Sequence, residues 1–315
     1  MTNLKSVTAF APASVGNAGC GFDIMGFAID GAGDNVTVSF AGENSDKIKL
    51  SGKYGNLIPA ERNKNTAGVA IDAFLNATGN STVKIYIELE KNLPLGSGLG
   101  SSASSAAAAV FAVNELLGKI LPVKELIPFA MEGERIACGT AHADNVAPSL
   151  LGGFILIRSN EPLDIISIPV PSALFCAVIH PHVELLTSKS RSVVKQEVPL
   201  SVAIKQNAHT SAFVAALFKS DFELMNRSFI DLFAEPYRIP LIPGFENVKR
   251  EALEAGAIGF GISGSGPSVF AFCKGENTAQ NIASVMEKEF CKINMECDVF
   301  TSSVNAGGAK IMESK

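Results

Sequence analysis

The segment that most constrains the fold is the glycine- and serine-rich stretch PLGSGLGSSASS, which spans residues 94–105. Gly96, Gly98 and Gly100 allow backbone conformations and close approaches that other residues resist. Strict alternation of apolar and polar residues over 82–90 predicts a strand before this stretch. The nearly all-apolar run 101–117 predicts an enclosed helix after it. A glycine-rich turn that leads into a helix presents unpaired N–H groups and a positive dipole end, so the stretch predicts a phosphate-binding loop.

Other types of glycine loop fit this segment less well. A P-loop requires a lysine after its glycines, and none follows here. Residues 98–103 formally match the dinucleotide fingerprint GxGxxA, but 91–95 separate them from the strand and a second helix follows instead of a parallel strand. A nicotinamide-dependent dehydrogenase therefore stays open only as a distant alternative. A loop that caps the helix without binding a ligand is the other alternative.

Composition excludes several classes of protein. The chain has 315 residues, 47% hydrophobic and 18% charged, which predicts a folded protein with room for two domains. A net charge of −5 without any basic tract argues against a nucleic-acid partner. The apolar stretches are shorter than the roughly 20 residues of a membrane span, and the N-terminus lacks a signal-peptide core, so we expect a cytoplasmic protein without a membrane partner. Six scattered cysteines without a CxxC pair predict buried, reduced thiols.

The order of predicted elements indicates a mixed α+β protein with two domains, at residues 1–169 and 170–315. The predicted helices span 65–78, 101–117, 200–218, 222–233 and 245–255, with one more after Pro122 and another from 278. The predicted strands span 35–40, 82–90, 153–158, 165–169, 174–180 and 269–272.

Three segments together resemble the GHMP small-molecule kinases: PASVGNAGCGFD at 12–23, the glycine stretch at 94–105, and GISGSGPSVFAF at 261–272. HADNVAPSLLGGF at 142–154 and AEPYRIPLIPGF at 234–245 are similar to the homoserine kinase branch. The resemblance implies ATP-dependent phosphorylation of L-homoserine to O-phospho-L-homoserine in threonine biosynthesis. It also implies a two-domain GHMP kinase fold, with an N-terminal domain like domain 2 of ribosomal protein S5 and a C-terminal ferredoxin-like domain. The active site is then expected between the domains, and a homodimer is a possible assembly.

The same resemblance assigns residues to ATP and Mg²⁺. The ATP-binding residues are Asn65, Pro94, Leu95, Gly96, Ser97, Gly98, Leu99, Gly100, Ser101, Ser102, Ala103, Ser104, Ser263 and Gly264. Ser102 and Glu134 are the implied magnesium ligands and belong to the catalytic set. Glu134 has independent support, because it lies on the helical face of Ile127 and Ala130, where a carboxylate requires a cation. The alternative is a surface glutamate at a helix end.

The substrate-binding residues implied by the family are Asn17, Asp23, His142, Asn145, Thr187, Arg191 and Arg238. The two arginines suit a carboxylate and Asp23 suits an ammonium, while the catalytic residues Asn17 and Asn145 are expected to orient the hydroxyl.

The HADN segment presents Asn145 where several GHMP kinases carry a carboxylate base. Adjacent side chains generally point in different directions, so we expect Asp144 to face elsewhere. Direct attack of the hydroxyl on the γ-phosphate, driven by alignment and magnesium, is therefore predicted. Whether Asp144 contributes to catalysis stays open.

Two further alternatives concern the same family. A GHMP kinase for mevalonate or a sugar would leave the arginines and Asp23 without a common ligand. A silent binding protein of this fold would be expected to lack loop or metal residues, and none is missing from the sequence.

Overall fold

The computed structural model describes residues 4–41, 46–139 and 142–315, with the side chain of Cys138 outside the description. The strands are β1 (Ser6–Gly16), β2 (Met25–Phe40), β3 (Lys49–Ser51), β4 (Ile85–Glu90), β5 (Phe154–Asn160), β6 (Leu163–Ile168), β7 (Leu174–Pro181), β8 (Gly259–Ile262), β9 (Val269–Lys274), β10 (Cys297–Ser303) and β11 (Lys310–Ser314). The α-helices are α1 (Thr66–Ala77), α2 (Ser101–Leu116), α3 (Ile127–Cys138), α4 (Ala143–Leu151), α5 (Thr187–Ser192), α6 (Leu200–Lys219), α7 (Phe222–Ser228), α8 (Glu235–Arg238), α9 (Phe245–Glu254) and α10 (Glu276–Cys291).

The first sheet has the order β11-β1-β2-β4-β3, and β5 with β6 extends from the start of β2. The alternating pattern of β4 buries Ile85, Ile87 and Leu89 against α1 and α2. Helix α2 is enclosed as predicted, because its run of alanines from 106 to 109 is fully buried and lets neighbouring elements approach closely. The N-terminal end of α2 is thereby fixed against β1 and β2 of the first sheet, to which Ser104 is bonded.

The second sheet has the antiparallel order β10-β7-β9-β8 and carries α9 and α10 on one face. Its other face shares a core with the first sheet. There Phe27 and Phe154 pack with Phe213, Phe270 and Phe272, and the ring centroids of Phe27 and Phe272 are 5.1 Å apart. This aromatic core joins the two sheets. Residues of both sheets that lie next to it are therefore held in a fixed arrangement.

The predicted α+β class is confirmed, with three departures in detail. The helix predicted over 222–233 ends at Ser228, because the Asp231 carboxylate accepts N–H groups from residues 233, 234 and 235 and forms a turn there. Strand β11 pairs with β1, so the end of the chain returns to the first sheet from beyond the predicted boundary at 169/170. The sequence did not predict β1 or the first half of β2.

The cysteine prediction holds for three thiols. Cys20, Cys176 and Cys273 are buried and free, and burial raises the pKa of Cys20 to about 12. Cys297 is partly exposed and Cys291 is exposed, so the prediction is wrong for Cys291. Cys138 falls outside the described side chains.

Across the described part of the chain, no helix combines the length and apolarity needed to cross a bilayer.

Candidate active site

Three glycine-containing segments that are distant in sequence meet between the two sheets. The N–H of Gly264 donates to Gly16 O at 3.0 Å, and the Ser263 hydroxyl donates to Gly98 O at 2.6 Å. The N–H of Ser268 donates to Ser97 O at 3.1 Å. These contacts border a cavity of about 330 Å³ that residues of all three segments line.

The glycine loop has the backbone that its sequence predicts. Gly96, Gly98 and Gly100 all have positive φ, at 59°, 78° and 63°. At Gly98 a Cβ would lie 2.3 Å from Ser263 O, so the close approach of the two glycine segments requires glycine there. Gly100 and the first two residues of α2 line the cavity, which places a helix N-terminus beside it.

Part of the predicted ATP set does not reach the cavity. Leu99 and Ala103 belong to the apolar core, and the buried Ser104 hydroxyl donates to Ala11 O at 2.7 Å. Pro94 is not among the lining residues either, and its carbonyl accepts the Ser97 hydroxyl. Leu99, Ala103 and Ser104 therefore support the loop from the core side, and Pro94 supports it through its bond to Ser97.

Asn65 and Ser263 also have structural partners in place of the predicted ligand contacts. The Asn65 carbonyl oxygen caps α1 by accepting the N–H of Ala67 at 3.0 Å, and its amide donates to Pro59 O at 2.8 Å. The Ser263 side chain is buried and bonded to the glycine loop. Neither residue lines the cavity, whereas Gly264 does.

Glu134 and Ser102 lie at the cavity on α3 and α2. Glu134 is 7% exposed, and Ile127 and Ala130 on the same face are fully buried. The predicted burial of Glu134 is confirmed, and the alternative of a surface glutamate is wrong. A carboxylate and a hydroxyl are hard oxygen donors of the kind that Mg²⁺ prefers, so the pair fits this ion.

Asp23 and Arg191 also line the cavity, where they form a two-pronged ion pair. The Arg191 Nη1 and Nη2 atoms lie 2.9 Å and 2.8 Å from the two Asp23 oxygens. The Phe22 ring lies beneath the guanidinium groups of both Arg191 and Arg238, at 5.7 Å and 5.3 Å. The sequence assigned Arg191 and Asp23 to opposite ends of a substrate, but in this structure they bind each other. A zwitterion that entered here would exchange partners with this pair.

Arg238 lines the cavity but is only 2% exposed. Its Nη1 donates to Gly264 O at 2.8 Å and its Nε donates to Ser190 O at 3.3 Å. Burial lowers the pKa of this guanidinium from its ordinary value. Thr187 is also at the cavity, with its hydroxyl 3.2 Å from that of Ser265. Arg238 therefore supports the turn at 263–266, which we call the second glycine turn, and it also faces the cavity.

The two asparagines predicted to orient a hydroxyl are both at the cavity, with different bonding. The Asn17 oxygen accepts the N–H of Asp23 at 2.8 Å, and its amide donates to Gly264 O at 2.7 Å. Both ends of this amide are therefore used to tie the first motif to the second glycine turn, which does not support its predicted role. The Asn145 oxygen accepts the Ser14 hydroxyl at 3.0 Å.

Asp144 also lines the cavity, so the expectation that it faces elsewhere is wrong. A Cβ at Gly16 would lie 2.5 Å from both Asp144 Oδ2 and Asn145 Nδ2, which shows that the two side chains pack against the same glycine. Both occupy the first turn of α4 and line the cavity. Burial, and to a smaller extent the charge of Asp23, raise the pKa of Asp144 to about 6. The pKa of Asp144 is lowered by His142, by Arg191 and by the N–H of Asn17.

His142 begins this helix and lines the cavity, and its buried Nε2 has no hydrogen-bond partner among the residues described. Sequence reasoning missed Phe22 and Ser265, although both stand inside motifs that it had singled out. It also missed Asp34 and Lys91, a buried ion pair below the glycine loop that belongs to no motif.

Comparisons with known proteins agree with this arrangement. The model of the GHMP kinase N-terminal domain matches residues 65–153, and that of the C-terminal domain matches 213–293. A homoserine kinase of Chloroherpeton thalassium is 50% identical over 98% of this chain and 100% of its own length. The crystal structure of a homoserine kinase from Cytophaga hutchinsonii is 46% identical, covers 99% of both chains and gives a TM-score of 0.95. A mevalonate kinase structure from L. major shares the fold alone, at 17% identity and a TM-score of 0.70 over 96% of both chains.

Proposed function

Because the chain belongs to the homoserine kinases of the GHMP kinase family, we propose that its cavity transfers the γ-phosphoryl group of ATP to L-homoserine. Membership of this family makes the chain an ATP-dependent phosphotransferase, which removes the dehydrogenase alternative. Mevalonate and sugar kinases remain the relevant comparison for the acceptor, since they share the fold.

The single observation that carries the choice of acceptor is the presence of both charge signs at one end of the cavity. Arg191 and Arg238 can bind a carboxylate, while Asp23 and Asp144 can bind an ammonium. An amino acid with a side-chain hydroxyl satisfies both, whereas mevalonate or a sugar lacks the ammonium. This pairing supports homoserine as the substrate.

The part of the cavity that Gly96, Gly98, Gly100 and Ser102 line, here called the nucleotide end, suits the nucleotide phosphates. Gly96, Gly98 and Gly100 bring backbone close to the cavity, and the N-terminus of α2 adds N–H groups and a positive dipole end. Ser102 and Glu134 would hold Mg²⁺ beside these phosphates. When bound, the ion neutralises charge that builds up on the phosphates during transfer.

In the proposed reaction, the homoserine hydroxyl oxygen forms a bond to the γ-phosphorus as the bond from that phosphorus to the β,γ-bridging oxygen breaks. ADP leaves and the hydroxyl proton passes to solvent. Asn145 orients the hydroxyl, and alignment with charge stabilisation supplies the acceleration. We assign Asp144 to the ammonium, because its buried carboxylate lies near that of Asp23, and both oxygens of Asp23 are bonded to the cation of Arg191.

A coupled ADP-release assay tests the proposal. ATP and magnesium would be supplied with homoserine, threonine, mevalonate or galactose, and the phosphorylated product identified by mass spectrometry. We expect homoserine to be the preferred acceptor. Preferential use of mevalonate or galactose would overturn the assignment.

A Gly98→Val variant provides the matched control for the nucleotide end. Its side chain would collide with Ser263 O, so it should abolish ADP release with every acceptor. ADP release that persisted in this variant would show a contaminating enzyme.

A further inference from the structure

A buried ion pair lies below the glycine loop and joins its two ends. Asp34 in β2 is fully buried, and Lys91, the residue after β4, is 2% exposed. The Lys91 ammonium contacts Asp34 Oδ2 directly. Neither residue lines the cavity, so neither touches a ligand there.

The Asp34 carboxylate accepts four hydrogen bonds, and three of them come from the loop or its flanks. Its Oδ1 accepts the N–H groups of Asn92 and Leu93 at 2.8 Å and 3.1 Å. Its Oδ2 accepts the Ser105 hydroxyl at 2.6 Å, in addition to Lys91. A carboxylate with both oxygens occupied in this way is held in one orientation.

Lys91 extends the same network into the first turns of α2. Besides Asp34, its Nζ donates to Ser101 O at 2.6 Å and to Ser105 Oγ at 3.1 Å. Three acceptors match the three protons of a charged ammonium. The entry of the loop at 92–93 and its exit at 101–105 are therefore both tied to one ion pair.

We propose that Asp34 and Lys91 are positioning residues that fix the glycine loop in its phosphate-binding shape. The inference rests on the proposed nucleotide site, since it assumes that this loop binds the phosphates. The loop contains three glycines at positive φ, so its own conformational preferences are weak and its fixed ends determine where its N–H groups point. Lys91 also neutralises a buried carboxylate close to where a polyanion would bind.

The alternative is an ion pair that stabilises the fold without affecting the loop. The two roles predict different effects on the binding of ADP and of homoserine. A merely stabilising pair would, when broken, lower the affinity for ADP and for homoserine together with the stability. A positioning pair would lower the affinity for ADP selectively, because it bonds to residues 92–93 and 101–105 of the loop, whereas Asp23 and Arg191 are held by each other.

Isothermal titration calorimetry of ADP and, separately, of homoserine tests the proposal on the full-length chain. Asp34→Asn should weaken ADP binding on the order of 10- to 100-fold, the range found when an outer partner that orients a binding group is removed. Homoserine binding should change little. Lys91→Met should be more harmful to ADP binding than Asp34→Asn, because it leaves a buried negative charge near the phosphates. The double variant Asp34→Asn/Lys91→Met should recover part of that difference.

Asn114→Ala is the matched control, since it breaks a buried network at the other end of the same helix. The Asn114 amide donates to Leu121 O at 2.9 Å and its oxygen accepts the N–H of Leu121 at 3.0 Å. This variant should lower the unfolding temperature without a selective loss of ADP binding. A folded Asp34→Asn protein with wild-type ADP affinity would overturn the proposal, and so would equal losses for ADP and homoserine.

If neither charge variant folds, Ser105→Ala distinguishes the positioning role from the merely stabilising one, because it removes one hydroxyl from the same network. Unchanged ADP affinity in that variant would overturn the proposal, and a selective loss would support it. Absence of ADP binding to the wild-type protein would instead contradict the proposed function itself.

Discussion

Replacing Asp144 by asparagine should stabilise the unliganded protein at neutral pH while weakening its binding of homoserine. The Asp144 carboxyl is 3% exposed, and it faces the charge of Asp23. An ionised carboxylate in that position is destabilising unless a cation joins it. Asparagine has nearly the same shape and cannot ionise, so the substitution removes the charge and leaves the packing.

The size of the gain follows from the pKa of Asp144. Burial raises this pKa from 3.8 to about 6, which at about 1.36 kcal/mol per pKa unit destabilises the ionised folded state by about 3 kcal/mol. Below the unfolded pKa the carboxyl is protonated in both states and this loss of stability is absent. The loss of stability grows as the pH rises from the pKa of the unfolded state to that of the folded state. It is complete above the pKa of the folded state. Asp144→Asn should thus gain about 3 kcal/mol at pH 7.5 and roughly half of that at pH 5.

Urea unfolding of the wild type and the variant at pH 5 and pH 7.5 measures this gain. Asp164→Asn is the matched control, because that exposed carboxylate pairs with Arg158 and its pKa is lowered. The control should show no stabilisation at either pH. Equal stabilities of the wild type and Asp144→Asn at pH 7.5 would refute the argument from burial.

The same ionisation should appear in substrate binding. Homoserine brings an ammonium that favours the ionised form of Asp144, so its KM should rise as the pH falls below about 6, by at most tenfold per pH unit. Asp144→Asn should abolish this pH dependence. At pH 7.5 the variant should raise the KM roughly 10- to 150-fold, as expected for a lost charge-assisted hydrogen bond, and retain most of kcat. Loss of kcat with an unchanged KM would show that Asp144 accepts the hydroxyl proton instead.

Three other substitutions separate the remaining roles in steady-state kinetics. Arg238→Ala should raise the KM for homoserine roughly 10- to 150-fold and affect that for ATP far less. A larger effect on ATP would place this arginine at the nucleotide end. Glu134→Gln and Ser102→Ala should each raise the magnesium concentration needed for half-maximal rate, and kinetics unchanged at limiting magnesium would remove them from the metal site. Asn145→Ala should lower kcat more than Asp144→Asn does, because it misaligns the hydroxyl; the reverse order would contradict direct attack.

The sequence predicted those features of the fold that depend on local pattern. The alternation in β4, the apolar face of α1 and the glycines before α2 each report on neighbours within a few residues, and all three predictions are confirmed. The end of α7 depends on a side chain three residues beyond it, Asp231, which bonds to the backbone that follows. The return of β11 to β1 depends on the opposite ends of the chain and leaves no local signal.

The candidate site shows the same limit. Motif resemblance identified residues near the cavity, but it did not separate those that face the cavity from those that support it. Leu99 and Ser104 stand inside the most recognisable motif and are buried behind it. We expected Asp144 to face away from the cavity, but Asp144 and Asn145 both line it and both pack against Gly16, a contact between residues far apart in the chain. Asp34 and Lys91 left no signal because a buried ion pair requires two residues 57 positions apart to be brought together by the sheet.

The charges of Asp23, Asp144 and Arg191 also predict that mevalonate is a poor acceptor. In the unliganded protein Arg191 compensates Asp23, while Asp144 has only partial compensation. A substrate carboxylate that engaged Arg191 would draw it away from Asp23 and leave two carboxylates facing each other. Homoserine supplies the missing cation in the same molecule, but mevalonate does not. Because an unpaired buried charge is strongly unfavourable, mevalonate would be rejected by the repulsion that its binding exposes, even where its own carboxylate is well bound.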